Sequence, residues 1–320
     1  MISIRNHDVY EVCGLSALRQ RKTNWLFIGA LSTLFFAFYG FFGKLSGFQH
    51  PLVSNLVVYT TAATCAIIIT LGTKRGMTFS KNGFLSGATS NIASIIMLYT
   101  LVSNQVLVVF SFVSFASVVF FLIILIVDKP RFSGKQESIA VVGILVAVVG
   151  LFLASTSTVG GIKYLLNSAI NWQFLAIAPI MPIGFGLWAY FSFAAIKKEG
   201  ENVLTVCLNY SLASFVVAVV VYVFFGLRFP FPAFSQIRDL YPILAGIFVL
   251  GGVALALRSY QLTSGQSRIE ETMVAILANA EVIPLTLLSY FILSEMTMEG
   301  LAGALTVFIG LSILNSARSE

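Results

Sequence analysis

Charge is what this chain has least of: Lys, Arg, Asp and Glu together make up 10% of its 320 residues. Soluble domains carry roughly 25% charged residues, so an ordinary water-facing surface cannot be built from this composition. Histidine is almost missing, with only His7 and His50, and the three cysteines Cys13, Cys65 and Cys207 lie far apart. Two of them sit inside apolar runs, so neither a disulfide framework nor a metal-ligand spacing is present, and no metal is expected. They read as small packing residues. The sequence also lacks HExxH, G-x-S-x-G, a Walker loop and any Cys/His cluster. These absences leave no catalytic residues and no cofactor to assign, and the chain is read as not an enzyme. Without a nucleotide-binding motif, any active transport must be driven by a gradient or by exchange.

What is there is apolar. Hydrophobic residues make up 58% of the chain, 29 of its residues are Phe, and its mean hydropathy is +0.93. A spanning helix needs roughly 20 mostly apolar residues, and ten such stretches can be placed, at 25–44, 51–71, 83–102, 105–127, 138–156, 172–195, 203–225, 241–262, 271–293 and 299–316. Hydrocarbon offers no water to backbone N–H and C=O groups, and these runs lack the alternation of barrel strands, so they are expected to be helices. The expected fold class is an all-α membrane protein of ten transmembrane helices. Residues 1–24 are polar and end in Arg19, Arg21 and Lys22. They read as a cytoplasmic tail, with Val9, Val12 and Leu15 as a weak interfacial stripe at most. The first apolar run is too long for a signal-peptide core, so the first helix is expected to be retained.

The net charge of +6 resides mostly in short loops, which points to membrane topology and to lipid neighbours rather than to nucleic acid. With a cytoplasmic N-terminus, the segments on the inner side hold fourteen Lys and Arg, while the outer ones hold only Lys44, Lys163, Arg228 and Arg238. This bias places both termini in the cytoplasm of a multi-pass plasma-membrane protein. Oligomeric state is not legible.

The chain also repeats itself. The stretch from Trp25 to Lys44 resembles that from Trp172 to Phe193, each opening with Trp and carrying a Gly/aromatic cluster. Gly143 and Gly150 near the end of the first half match Gly303 and Gly310 in the second, each pair following an acidic residue, Asp128 or Glu295, at the preceding loop. Asn55 and Asn209 sit near the starts of the second and seventh spans. Five spans per copy make the second copy enter from the opposite side, the inverted-repeat arrangement of secondary transporters. The organisation expected is a tail at 1–24, a five-helix repeat at 25–156, an external linker at 157–171 and a second repeat at 172–316.

The residues from Ile276 to Leu314, ILANAEVIPLTLLSYFILSEMTMEGLAGALTVFIGLSIL, resemble the end of the second repeat of EamA-type members of the drug/metabolite transporter superfamily. The first repeat resembles the family pattern less well, and the likeness extends over about 290 residues. Glu281 stands at the family's acidic position, but Val282 replaces the proline that usually follows, and Pro284 comes two residues later. Ser114 and Phe115 occupy the equivalent positions of the first half. The resemblance implies a transporter with a central cavity lined by the first, third and fourth helices of each repeat, the fifth lying at the periphery. It does not fix a substrate.

Several polar groups inside apolar spans are candidates for a substrate site. Glu281 lies mid-span, where a charge costs about 2.5–3.5 kcal/mol on insertion scales; it is either a proton-coupling or cation-binding carboxylate, or a hydrogen-bonded lock between helices. Arg258, in the inner third of the eighth span, either clamps an anionic group or snorkels to the surface. An Arg and a Glu on one cavity would suit an amino acid or related zwitterion. Asn91, Tyr99 and Tyr260 either read a ligand or join helices. Tyr39 and Trp188 align beside Gly40 and Gly186 as aromatic walls or ordinary packing. Pro179, Pro182, Gly184 and Gly186 in the sixth span, with Pro284 in the ninth, are candidate hinges. The glycine pairs near the repeat ends read as close helix packing. The function expected is a secondary transporter that moves a small organic metabolite or drug by alternating access, with proton coupling as one of the roles open to Glu281. A non-transporting scaffold or lipid-handling protein that kept the fold is the alternative.

Overall fold

The computed structural model describes residues 7–46, 50–73, 78–103, 109, 113, 115–128, 134–156, 177–231, 236–263, 268–278, 280–281, 283–285 and 288, with isolated helical residues between 302 and 313. Among these, helices are the only regular elements. They are α1 (His7–Leu45), α2 (Pro51–Gly72), α3 (Lys81–Ser103), α4 (Ala116–Val127), α5 (Gly134–Thr156), α6 (Ile180–Phe193), α7 (Val203–Phe225), α8 (Tyr241–Leu262) and α9 (Arg268–Ala278). A π-turn at Ala194–Lys198 extends α6 and a 3-10 turn at Ile237–Leu240 leads into α8.

The helix ends follow local chemistry. His50 caps α2 by accepting the Leu52 N–H at 3.3 Å, and Pro51 opens the first turn, where its missing N–H costs nothing. Asn202 caps α7 in the same way, through its side-chain oxygen to Leu204 N–H at 2.9 Å. After the π-turn the chain reverses at Gly200, whose φ of +65° is a left-handed conformation that glycine adopts without strain. At the start of the chain the backbone from His7 is already helical and runs without a break into the first apolar stretch, so the segment read as a tail is helix from His7 onward.

Among the described residues, five stretches are long and apolar enough to cross a membrane: Asn24–Leu45, Pro51–Gly72, Ile180–Lys198, Val203–Phe225 and Ile237–Leu262. Their polarity is inverted relative to a water-soluble bundle. Phe224, Phe225, Phe27, Ile68 and Leu71 are 61–75% exposed, whereas Ser32, Ser86, Asn91, Ser94, Ser211 and Ser259 are fully buried. An apolar exterior around a hydroxyl-rich interior is what lipid solvation requires, because lipid tails accept hydrophobic side chains and reject unpaired polar ones.

The helices meet in a regular pattern. α1 packs along α8 and α6 along α3; α2 and α7 face each other; α2 also contacts α8, and α7 contacts α3. α4 lies on α6 and α9 on α1. The tightest crossings fall at glycines. A methyl group at Gly87 of α3 would come within 2.1 Å of the Tyr210 carbonyl of α7, and one at Gly246 of α8 within 2.4 Å of the Val58 carbonyl of α2. Gly150 and Gly310 likewise meet backbone at 2.4 Å, from Val307 and Ala147 respectively, so the small-residue stripes do join helices closely.

Candidate functional site

α9 stops at Ala278. Ala280 and Glu281 form a turn, and helix resumes at Ile283–Leu285. In the turn the backbone bonds shorten to three-residue steps, Ala280 N–H to Leu277 O at 3.1 Å and Ile283 N–H to Ala280 O at 3.0 Å. Pro284 has no N–H to offer the carbonyl of Ala280, which accounts for helix not continuing through this point. α1 braces the break: the Thr33 hydroxyl donates to Leu277 O at 2.5 Å and Gly29 lies against the Leu277 side chain.

The interruption delivers Glu281 to a cleft between helices of both halves. Phe36 and Tyr39 of α1, Ser90, Ser94 and Met97 of α3, Phe185 and Trp188 of α6, Tyr210 of α7, Val249 of α8, and Ala278 with Glu281 line it. The free space among these side chains is a narrow slot of about 20 Å³, room for about one water molecule. The walls are ordered by packing. Phe36 meets the Trp188 ring edge-on at 5.4 Å. The Ser90 and Tyr210 hydroxyls are bonded at 3.0 Å, and Tyr59 and Ser94 at 2.8 Å. The hydroxyl of Tyr39 faces the Tyr59–Ser94 pair. Trp188 Nε1 and Glu281 Oε2 are buried and unpartnered. Two unpaired polar atoms therefore belong to side chains that line one cleft.

The sequence candidates separate here. Tyr39, Trp188 and Glu281 line the cleft together. Arg258 does not: it is exposed and donates to Gln261 one turn along its own helix, so the Arg–Glu pair envisaged across one cavity is absent. Asn91 is buried but faces α2, where it accepts the Asn55 side-chain N–H at 3.4 Å. Tyr260 packs between Phe120 and Phe193, at 6.3 and 6.0 Å. Tyr99 is 40% exposed at the end of α3, with its hydroxyl 3.5 Å from His50 Nε2. Among the candidate hinges, Pro179 lies in a turn at Ala178–Pro179 that parts helical Ile177 from α6, and Pro182 occupies the first turn of α6. Gly184 and Gly186 are sites of close approach to α3 and α4, where a methyl would meet Thr89 O at 2.9 Å and Val119 Cγ1 at 2.6 Å. Pro284 coincides with a second helix break.

Sequence reasoning overlooked Ser90, Ser94 and Tyr210. The signal was present as Ser86, Ser90 and Ser94, a hydroxyl stripe at four-residue spacing; Asn91, one residue round the helix, points about 100° away. Tyr210 follows Asn209, whose amide donates to Thr78 O at 2.9 Å.

Polar contacts close both ends of the bundle. At one end Lys198 pairs with Asp128 and bonds Tyr190, Asn82 donates to Glu199 at 2.8 Å, and Lys197 donates to Thr263 O at 2.6 Å. At the other, His50 stacks on Phe229 with ring centroids 3.4 Å apart, and Arg228 lies over the same Phe229 ring at 4.9 Å. Among the described residues no group of His, Cys, Asp and Glu could hold a metal ion.

No family model and no curated protein matches this chain. Among solved structures, one described in the words "Crystal structure of protein" superposes with a TM-score of 0.69, covering 92% of this chain and 98% of that chain at 14% identity. The likeness is one of fold.

Proposed function

We propose that this chain is a secondary transporter of small organic solutes, built as ten spans in two inverted five-helix repeats of the drug/metabolite transporter type. On this reading it lies in the plasma membrane with both termini in the cytoplasm. The observation that carries the reading is Glu281, a buried carboxylate at a helix break, facing a cleft to which helices of both halves contribute. A carboxylate in that position is costly unless it serves a solute or a proton, and interrupted helices at mid-membrane mark transporter sites.

The helix pairing supports the repeat. If α1, α2, α3 and α4 are exchanged for α6, α7, α8 and α9, the contact pattern maps onto itself: α1 on α8 becomes α6 on α3, α2 on α8 becomes α7 on α3, and α1 on α9 becomes α6 on α4. The close glycines Gly87 and Gly246 exchange likewise. Alternating access then consists of rocking one half against the other about the cleft, with the Lys198–Asp128 and Asn82–Glu199 contacts made and broken on the basic, cytoplasmic side. Glu281 exchanges a proton or a cationic group in the course of that cycle.

The test is flux. Full-length protein in proteoliposomes is screened against amino acids, amines, purines, choline-like cations and phosphorylated metabolites under an imposed pH gradient. At least one class is expected to move faster than in protein-free vesicles, and Glu281→Gln to lose pH-driven uptake by more than about tenfold while eluting as a folded monodisperse species. Undiminished pH-driven uptake by that variant would remove Glu281 from the mechanism. No flux of any class would favour a scaffold or lipid-handling role.

A further inference from the structure

We propose that the cleft takes a monovalent amine that also carries a neutral oxygen acceptor, an amino alcohol or an amino amide, with Glu281 receiving the ammonium and Trp188 donating its ring N–H to the oxygen. The inference deepens the transport reading and rests on the same site.

Two unpaired atoms set the terms. Trp188 Nε1 can only donate, and an ionised Glu281 Oε2 can only accept. A ligand that leaves neither of them stranded must bring at least one acceptor for the indole and one N–H or O–H for the carboxylate. Buried polar atoms left unmatched cost more than matched ones gain, so the inventory discriminates strongly between solutes.

Charge narrows the class. Among the described residues, Glu281 is the only Asp, Glu, Lys or Arg that lines the cleft, and Arg258 lies at the surface. A monocation brings the site to neutrality. A free amino acid brings an extra carboxylate and leaves one net negative charge in a low-dielectric interior, and phosphorylated solutes leave more. Polyamines carry several charges against one carboxylate. A simple tetraalkylammonium has the right charge but neither an N–H or O–H for Glu281 nor an acceptor for Trp188. The faces of Phe36, Tyr39, Phe185, Trp188 and Tyr210 suit the remaining organic part and attract the cation.

Calorimetric titration of the full-length protein with a matched set, leucinol, leucine amide, isoamylamine, leucine and tetraethylammonium, reads this directly. Leucinol and leucine amide are expected to bind at least about tenfold more tightly than isoamylamine, which lacks the oxygen, and than leucine and tetraethylammonium. Trp188→Phe, which keeps a ring and loses the N–H, should bring leucinol and isoamylamine within about twofold of each other, and Glu281→Gln should weaken all three amines. Leucine or tetraethylammonium binding as tightly as leucinol, a leucinol preference that survives Trp188→Phe, or no saturable amine binding would each overturn the proposal; the wild-type series decides even if a variant fails to fold. Tracer flux of the same compounds separates the two readings. Leucinol that binds but is never carried defeats transport and leaves the site chemistry standing, whereas carried leucine with unbound leucinol does the reverse.

Discussion

Single residues in this protein are governed by which way they face. Arg258 and Glu281 are both ionisable groups inside apolar stretches, yet one is exposed and bonds Gln261 a turn along its own helix while the other is turned inward by a helix break. Spacing along a sequence cannot separate these outcomes, because a long flexible Arg stem escapes from a span end and a Glu near mid-span cannot. His50 shows a subtler dependence. Its Nδ1 accepts from Leu52, its ring stacks on Phe229, and burial, followed by the Arg228 charge, holds its pKa below the usual 6.5. A depressed folded-state pKa means stability that is complete above the unfolded value and is lost as pH falls through the folded one. Thermal stability is therefore expected to decline below about pH 6.5 in the wild type, with a shallower acid-side slope in His50→Asn, which keeps a cap and cannot titrate. Equal slopes would show that His50 plays no part in the acid response.

At the scale of elements, the decisive features are two interruptions and a few close crossings. The crowd of Pro and Gly in and before α6 suggests a bend, and a turn at Ala178–Pro179 does part helical Ile177 from α6, whereas Gly184 and Gly186 serve contact rather than flexion. The other break lies just before Pro284, at the carboxylate it presents. Proline in a sequence marks a weak point in a helix without saying whether that point falls in the first turn or the interior. Close crossings give a sharper expectation. Gly87→Ala sets a methyl against the Tyr210 carbonyl, a backbone atom that no rotamer change can move, so α3 and α7 must separate. The cost expected is about 1–3 kcal/mol, read as a lowered thermal midpoint in detergent, while Gly72→Ala, with nothing within 4 Å of the added methyl, should stay within about 0.5 kcal/mol of wild type. Similar midpoints for the two variants would mean that the α3–α7 crossing is looser than described.

For the whole molecule, the consequence of the pairing pattern is that the polar contacts at one end tie the first half to the second. Asp128 is held by Lys198 and Asn82 by Glu199, and deeper in, Ser192 donates to Ser86 at 3.3 Å between α6 and α3. Loosening the outermost contact should shift the balance toward conformations open at that end. In a Ser86→Cys background, Asp128→Asn is expected to raise the rate of maleimide labelling by about threefold or more, since a shift of well under 1.4 kcal/mol suffices for that change. An unchanged rate would assign the ion pair to surface decoration, the common fate of exposed pairs.

The sequence alone determined that this protein is helical and meets lipid, because scarcity of charge and unbroken apolar length leave a chain no other way to satisfy its backbone. It also singled out Glu281, since a carboxylate in the middle of a long apolar stretch is conspicuous by position. Tertiary structure alone decided which polar groups share a cleft. Tyr39, Trp188, Ser90, Ser94 and Tyr210 come from four helices distant in sequence, and their convergence depends on the rotation of each helix about its axis, which packing at a few glycines fixes and hydropathy does not encode.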